Sequence, residues 1–252
     1  MSRAFVVSIG TSHPWNIAGV GLDARVACEY GVRNLTVLTG TTAQDAAGLH
    51  LKHTVPVRMV RAQLEALPRD DIGALRIGAL FDEENVREVA RYVEQSGVAV
   101  VDPVFSATLG GSFSNDRTVL AFRENLLQSR VVLTPNAKEA ARLTMAEVQT
   151  EEQMIAAAEQ LRSMGPRAVL LKGADLQMRE VVDVLVVEQG VKIYRQERLP
   201  GSMRGAGCTL AMALACELAA GRDVVAAVEA ARAYVRRKIE ARIMLGSLQV
   251  AF

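Results

Sequence analysis

Histidine, cysteine, proline and tryptophan are scarce in this chain of 252 residues, with three, three, seven and one copies. The cysteines, Cys28, Cys208 and Cys216, are odd in number and far apart. With no CxxC pair and no Cys/His cluster there is no basis for a structural zinc site, and a reducing compartment fits best. His13, His50 and His53 follow no metal-ligand spacing. The net charge of +1 lacks the single-sign field that nucleic acids or anionic membranes select, so neither is expected as a partner. Long hydrophobic runs are absent as well. The run Phe5–Ile9 stops at Gly10, too short for a signal peptide or a membrane span, and reads as a first buried strand of a cytoplasmic protein. What the chain does have is hydrophobic residues, 50% of the total, enough for one large core spanning residues 1–252.

Apolar runs of strand length alternate with segments of helical period. Strands are expected at Phe5–Ile9, Leu35–Leu38, Leu75–Leu80, Val98–Val101, Val131–Thr134 and Ala168–Leu171. Helices are expected at Ala18–Tyr30, Val57–Leu67, Glu83–Gln95, Asn115–Leu127 and Ala137–Leu143. Thr150 and Gln153 form a capping-box start for a helix reaching Met164. Val181–Val187 and Val191–Arg195 flank a Gly-containing turn and read as a β-hairpin, and Val224–Leu245 reads as one long final helix. This rhythm implies an α/β fold of three layers, with a mainly parallel sheet covered by helices on both faces. Gly10-Thr11-Ser12, Thr41 to Gln44, Asp102, Asn136 and Lys172-Gly173 follow the expected strands. In open α/β sheets that end of the strands carries the ligand.

The most informative stretch is Arg204-Gly205-Ala206-Gly207-Cys208-Thr209, followed by the almost wholly apolar Leu210–Leu218. A glycine-rich turn that feeds a buried helix aims several backbone N–H groups at one point, where the helix dipole favours an anion. Cys208 falls in the first helical turn, a position that lowers a thiol pKa. An anion cradle with a base inside it points to phosphoryl transfer. The plainer reading is a tight helix entry with a buried cysteine. Cys28 and Cys216 lie on apolar helical faces and read as core.

Taken together, Ile9-Gly10-Thr11 with Ala18-Gly19-Val20-Gly21-Leu22-Asp23, Thr42-Ala43-Gln44, Ile77-Gly78-Ala79-Leu80, Val101-Asp102-Pro103-Val104, Thr134-Pro135-Asn136-Ala137-Lys138-Glu139, Leu171-Lys172-Gly173 and Gly205-Ala206-Gly207-Cys208-Thr209 resemble the hydroxymethylpyrimidine and phosphomethylpyrimidine kinases of thiamine biosynthesis, within the ribokinase-like superfamily. The matches run in family order over nearly the whole chain. A cysteine after the Gly-x-Gly turn, where sugar kinases of this fold carry aspartate, favours the pyrimidine and pyridoxine branch.

The resemblance implies a three-layer ribokinase-like kinase that uses ATP and Mg2+ and forms a homodimer. It implies that the backbone of Gly205, Ala206 and Gly207 forms the anion hole, that Cys208 takes the substrate proton and that Lys172 meets the ATP phosphates. Asn136, Glu139, Arg204 and Gly205 fall on the nucleotide side, and Asp102 and Glu139 at the metal. Gly10, Thr11, Asp23, Gln44, Gly78 and Val104 fall on the acceptor, with Asp23 and Gln44 reading the edge of the aminopyrimidine. On spacing alone Asn136 and Glu139 also fit a simple capping box. Departures from the family pattern cluster on the acceptor side. The loop Ser12–Ile17 carries the bulkier Trp15 and Ile17, Ala206 replaces a threonine, and Arg204 replaces a histidine, adding a cation that suits a phosphate or a more anionic substrate. The activity implied is phosphorylation of 4-amino-5-hydroxymethyl-2-methylpyrimidine and of its monophosphate. A pyridoxine or pyridoxal kinase and a catalytically weak pyrimidine-binding sensor are the alternatives.

Overall fold

The computed structural model describes residues 5–107, 110–201 and 203–250. In chain order these form β1 (Phe5–Ser12), α1 (Gly19–Glu29), β2 (Arg33–Asp45), β3 (Gly48–Thr54), α2 (Val57–Glu65), β4 (Ile72–Ile77), α3 (Glu83–Glu94), β5 (Ala99–Val101), α4 (Asp116–Ala121), β6 (Val132–Leu133), α5 (Ala137–Thr144), α6 (Glu151–Ser163), β7 (Ala168–Lys172), β8 (Glu180–Val187), β9 (Gly190–Glu197), α7 (Ala206–Ala219), α8 (Val224–Glu240), β10 (Ile243–Leu245) and β11 (Leu248–Val250). A sheet of nine strands runs β3-β2-β1-β4-β5-β6-β7-β8-β9. The pairings from β2 through β1, β4, β5 and β6 to β7 are parallel, and the outer pairs are antiparallel.

Strand alternation divides the interior into two cores, because successive side chains point to opposite faces. Val7, Ile9, Leu75, Ile77, Val101, Leu133 and Leu171 pack with α2 to α6 on one face. Val6, Ala74, Val100, Val132 and Leu170 pack with α1, α7 and α8 on the other. Helix α7 is buried continuously from Thr209 to Leu218, as its apolar sequence requires. The three-layer α/β expectation is met.

Five local expectations need correction. β2 runs to Asp45 and pairs with β3, so Thr41–Gln44 lie within a strand rather than after one. That hairpin is largely exposed, with Leu51 at 69%, and is held by its backbone ladder, so it shows little hydrophobic alternation. The fourth strand is Ile72–Ile77 and ends before Gly78. The segment expected as one helix from Asn115 to Leu127 is α4, capped by the Asn115 side chain, followed by a π-turn at Phe122–Leu126. The last helix stops at Glu240, and the chain folds back as the β10–β11 hairpin through Gly246. Ile243 and Met244 are exposed there, so no apolar face extends the helix. Cys28, expected in the core, is exposed, and Cys216 is buried.

Candidate active site

The parallel strands end on a common crevice. Thr11 closes β1, Asp102 follows β5, Asn136 follows β6, and Lys172 closes β7. Against them stands the N-terminus of α7, entered through Gly205 at φ +82°. A Cβ at Gly205 would lie 2.2 Å from the carbonyl oxygen of Ile17, so only glycine fits this left-handed turn. The result is a cleft of about 560 Å³ lined by Thr11, Gln44, Val104, Asp102, Asn136, Glu139, Lys172 and Arg204 to Cys208.

Lys172 donates to Asp102 Oδ1 at 2.8 Å, and a Cβ built on Gly207 would sit 3.3 Å from its Nζ. The ammonium therefore lies beside the first turn of α7, bringing cation and anion cradle together. Burial works to lower the Lys172 pKa, but Asp102 and Glu139 outweigh it and hold the group above the ordinary lysine range. Burial works to raise Asp102, but Lys172 and Arg76 hold it below the usual carboxylate range. Glu139 differs: burial pushes it up to about 8, against the pull of Lys172. Asn136 and Glu139 complete the capping box of α5. The Glu139 N–H donates to the Asn136 side chain at 2.9 Å, and the Asn136 N–H donates to Glu139 Oε2 at 2.8 Å.

At the cleft floor lies a group that sequence reasoning missed. Arg76, in the middle of β4, is 1% exposed. Its guanidinium sits 3.3 Å from Asp23 Oδ2 and 3.0 Å from Asp102 Oδ2. A Cβ at Gly78 would lie 2.3 Å from Arg76 Nη1, and one at Gly10 3.8 Å from it. Asp23, Gly10 and Gly78, expected on the acceptor, gather around Arg76 and are not among the residues that line the cleft. Asp23 is wholly buried, which pushes its pKa up to about 6 against the Arg76 charge. The available signal was an arginine flanked by Leu75 and Ile77 in a buried strand, where a charge requires partners.

Cys208 also departs from expectation. Burial pushes its thiol up, and the opposing pull of Arg76 does not cancel that effect. The helix-end argument predicted the reverse direction. His13, given no role on sequence grounds, lines the cleft. Burial lowers its pKa to about 4, assisted by Arg204, so it is neutral, and its Nδ1 accepts from the Trp15 N–H at 3.0 Å. Trp15 itself is not on the wall, whereas Phe113 and Ala107 of the flap after Asp102-Pro103 are. Thr108 and Leu109 of that flap lie outside the described residues. Arg204, expected on the nucleotide side, points toward Gln44, whose Oε1 accepts from Arg204 Nη2 at 3.4 Å.

Among the described residues no three His, Cys, Asp or Glu side chains converge as a metal cage, and both Asp102 oxygens already face cations. A Mg2+ ion typically binds through one or two carboxylates plus substrate phosphates, and Glu139 is a carboxylate on this wall.

The phosphomethylpyrimidine kinase family model matches residues 15–251. A hydroxymethylpyrimidine/phosphomethylpyrimidine kinase of Streptomyces coelicolor is 36% identical over 245 residues, covering 96% of this chain and 90% of the relative. The pyridoxal kinase of Staphylococcus aureus, solved with AMP-PCP, is 25% identical with a TM-score of 0.91, covering 100% of this chain and 93% of its own. The phosphomethylpyrimidine kinase of Clostridium difficile is 26% identical with a TM-score of 0.80, covering 93% and 99%. With a match over nearly its whole length and a crevice built from the same ordered motifs, the chain belongs to the phosphomethylpyrimidine kinase family.

Proposed function

We propose that the protein transfers the γ-phosphoryl group of ATP to the hydroxymethyl oxygen of 4-amino-5-hydroxymethyl-2-methylpyrimidine, and a second one to the resulting monophosphate. The observation that carries this reading is the meeting of Lys172 with the Gly205–Cys208 turn at the head of α7. A cation and a set of aligned N–H groups at one point are what a transferring phosphoryl group needs.

In this reading the acceptor lies between Gln44, Val104 and Thr11, with its oxygen toward Cys208. The oxygen forms a bond to the γ-phosphorus as the bond to the ADP oxygen breaks, and the hydroxyl proton passes to the Cys208 sulfur. Phosphoryl transfer has a loose transition state, so that proton need leave only late; the thiolate form of Cys208 accepts it, a form that burial makes the minor one at neutral pH but the stronger base. The backbone of Gly205, Ala206 and Gly207 holds the equatorial oxygens, and Lys172, kept charged by Asp102, neutralises them. Asn136 and Glu139 flank the nucleotide phosphates. Mg2+, held through Glu139 and those phosphates, would supply further charge neutralisation. A homodimer and a cytoplasmic location belong to the same reading, the former checked by light scattering.

A second reading, pyridoxal as acceptor, is favoured by the higher TM-score with the pyridoxal kinase. A coupled ADP-release assay with MgATP against hydroxymethylpyrimidine, its monophosphate, pyridoxal and ribose decides. Turnover on the pyrimidines is expected. Turnover on pyridoxal alone would replace the acceptor, and binding without turnover would establish a sensor.

A further inference from the structure

Two cations of the cleft are paired with carboxylates. Arg76 faces Asp23 and Asp102, and Lys172 faces Asp102. Arg204 has no carboxylate partner among the described residues: its one polar contact is Gln44 Oε1 at 3.4 Å, and its Nε and Nη1 are buried without a hydrogen-bond partner. Burial opposes its charge, yet a guanidinium does not give up its proton in a protein. A half-buried cation with two buried idle donors is costly unless something anionic completes it.

The backbone holds this arrangement in place. The Arg204 N–H donates to the Gln249 carbonyl at 2.8 Å, and Arg204 bridges to Val250. The β10–β11 hairpin therefore props the residue from behind. Arg242 anchors that hairpin, donating to the Gln249 side chain at 2.9 Å and also to the Pro200 carbonyl. In front, Arg204 lies within electrostatic reach of His13, which is neutral, and of the Cys208 thiol. Gln44 is on the acceptor side of the cleft in the proposed reading, and His13 lines the same cleft. A neutral hydroxymethyl compound leaves the Arg204 fork unsatisfied, whereas a phosphomonoester presents oxygens that match it.

Resting on the proposed kinase activity, we infer that Arg204 is a specificity-determining residue that binds the acceptor's own phosphate and makes the phosphomonoester, not the free alcohol, the preferred acceptor. Even one net charge-assisted hydrogen bond predicts a preference of about tenfold to a hundredfold in kcat/KM.

The test compares hydroxymethylpyrimidine with its monophosphate at saturating MgATP in wild type, R204Q and R204K. In wild type, kcat/KM is expected to be at least tenfold higher for the monophosphate, and added NaCl should raise KM for the monophosphate while leaving that for the alcohol steady. R204Q should cut the monophosphate-to-alcohol ratio at least tenfold, mainly through KM, and R204K should restore part of it. A ratio unchanged in both variants overturns the inference while the kinase reading stands. A rise in the KM for ATP of equal size with both acceptors places Arg204 on the nucleotide and overturns it too. Should R204Q not fold, the wild-type ratio, its salt dependence and R204K decide. A protein that phosphorylates neither compound fails at the level of the kinase reading, and the inference falls with it.

Discussion

Replacing Arg76 by methionine should destabilise the protein far more than its two ion pairs would suggest. The substitution keeps the side-chain length within the strand but removes the charge between Asp23 and Asp102. Asp102 retains Lys172 at 2.8 Å and the Thr134 hydroxyl at 3.5 Å. Asp23 retains only Ser8 as a polar neighbour and is wholly buried, so it must take up a proton. Its reference value is 3.8, and neutralising it at pH 7.5 costs up to about 5 kcal/mol, at about 1.4 kcal/mol per pH unit. Breaking a buried pair by removing one partner typically costs about 3–5 kcal/mol, in line with that ceiling. For a chain of this size the corresponding fall in Tm is about 6–20 °C. The sign of the pH dependence follows from the raised pKa. The folded state holds the Asp23 proton more tightly than the unfolded chain, so the stability it contributes is lost as pH rises through the folded value of about 6. Without Arg76 that value climbs further, so the deficit relative to wild type grows from pH 5 to pH 8. Thermal melts of wild type, R76M and the R76M/D23N double variant at both pH values test this, and the double variant should recover part of the loss. A melting point within about 2 °C of wild type at pH 8 would refute the account of Arg76 as counter-ion to a buried carboxylate.

Cys208→Ala should lower kcat on hydroxymethylpyrimidine by about 10²–10⁴ but much less on the monophosphate, whose attacking oxygen is already ionised; equal losses in the coupled assay would count against Cys208 as proton acceptor. Glu139 is neutral near pH 7 because burial raises it to about 8. If its carboxylate must ionise to serve the metal and phosphates, kcat/KM for MgATP rises from pH 6.5 to 9 with a midpoint near that value, and Glu139→Gln flattens the limb. A flat wild-type profile removes Glu139 from that role. Gly205→Ala places a methyl group 2.2 Å from the Ile17 carbonyl at a φ of +82° and should cost about 1–3 kcal/mol, with a fall in turnover as the anion cradle moves; a melting point and kcat both unchanged would show that the turn tolerates a side chain.

The order of elements, the three-layer α/β class and the positions of Thr11, Asp102, Asn136 and Lys172 at strand ends were legible in the sequence. These depend on local terms: apolar alternation, the Thr150 and Asn136 caps, and glycine at tight turns. The Gly205–Cys208 turn was legible for the same reason, because a glycine before an apolar helix supplies the positive φ that a tight helix entry needs. Three features came only from tertiary structure. Asp23, Gly10 and Gly78 sit in separate parts of the chain, and only the packing of α1 against β1, beside β4, reveals that they gather around Arg76. The rise in the Cys208 pKa reflects desolvation from several elements at once, which a helix-dipole argument along one segment does not contain. The β2–β3 and β10–β11 hairpins are largely exposed and their apolar residues do not mark one buried face, so hydrophobic periodicity is silent about them. Yet the second of these hairpins, through Gln249 and Val250, sets where Arg204 points. Sequence determines what a residue can do within its own element; which charges it meets across elements, and therefore what it does, is decided when the chain packs.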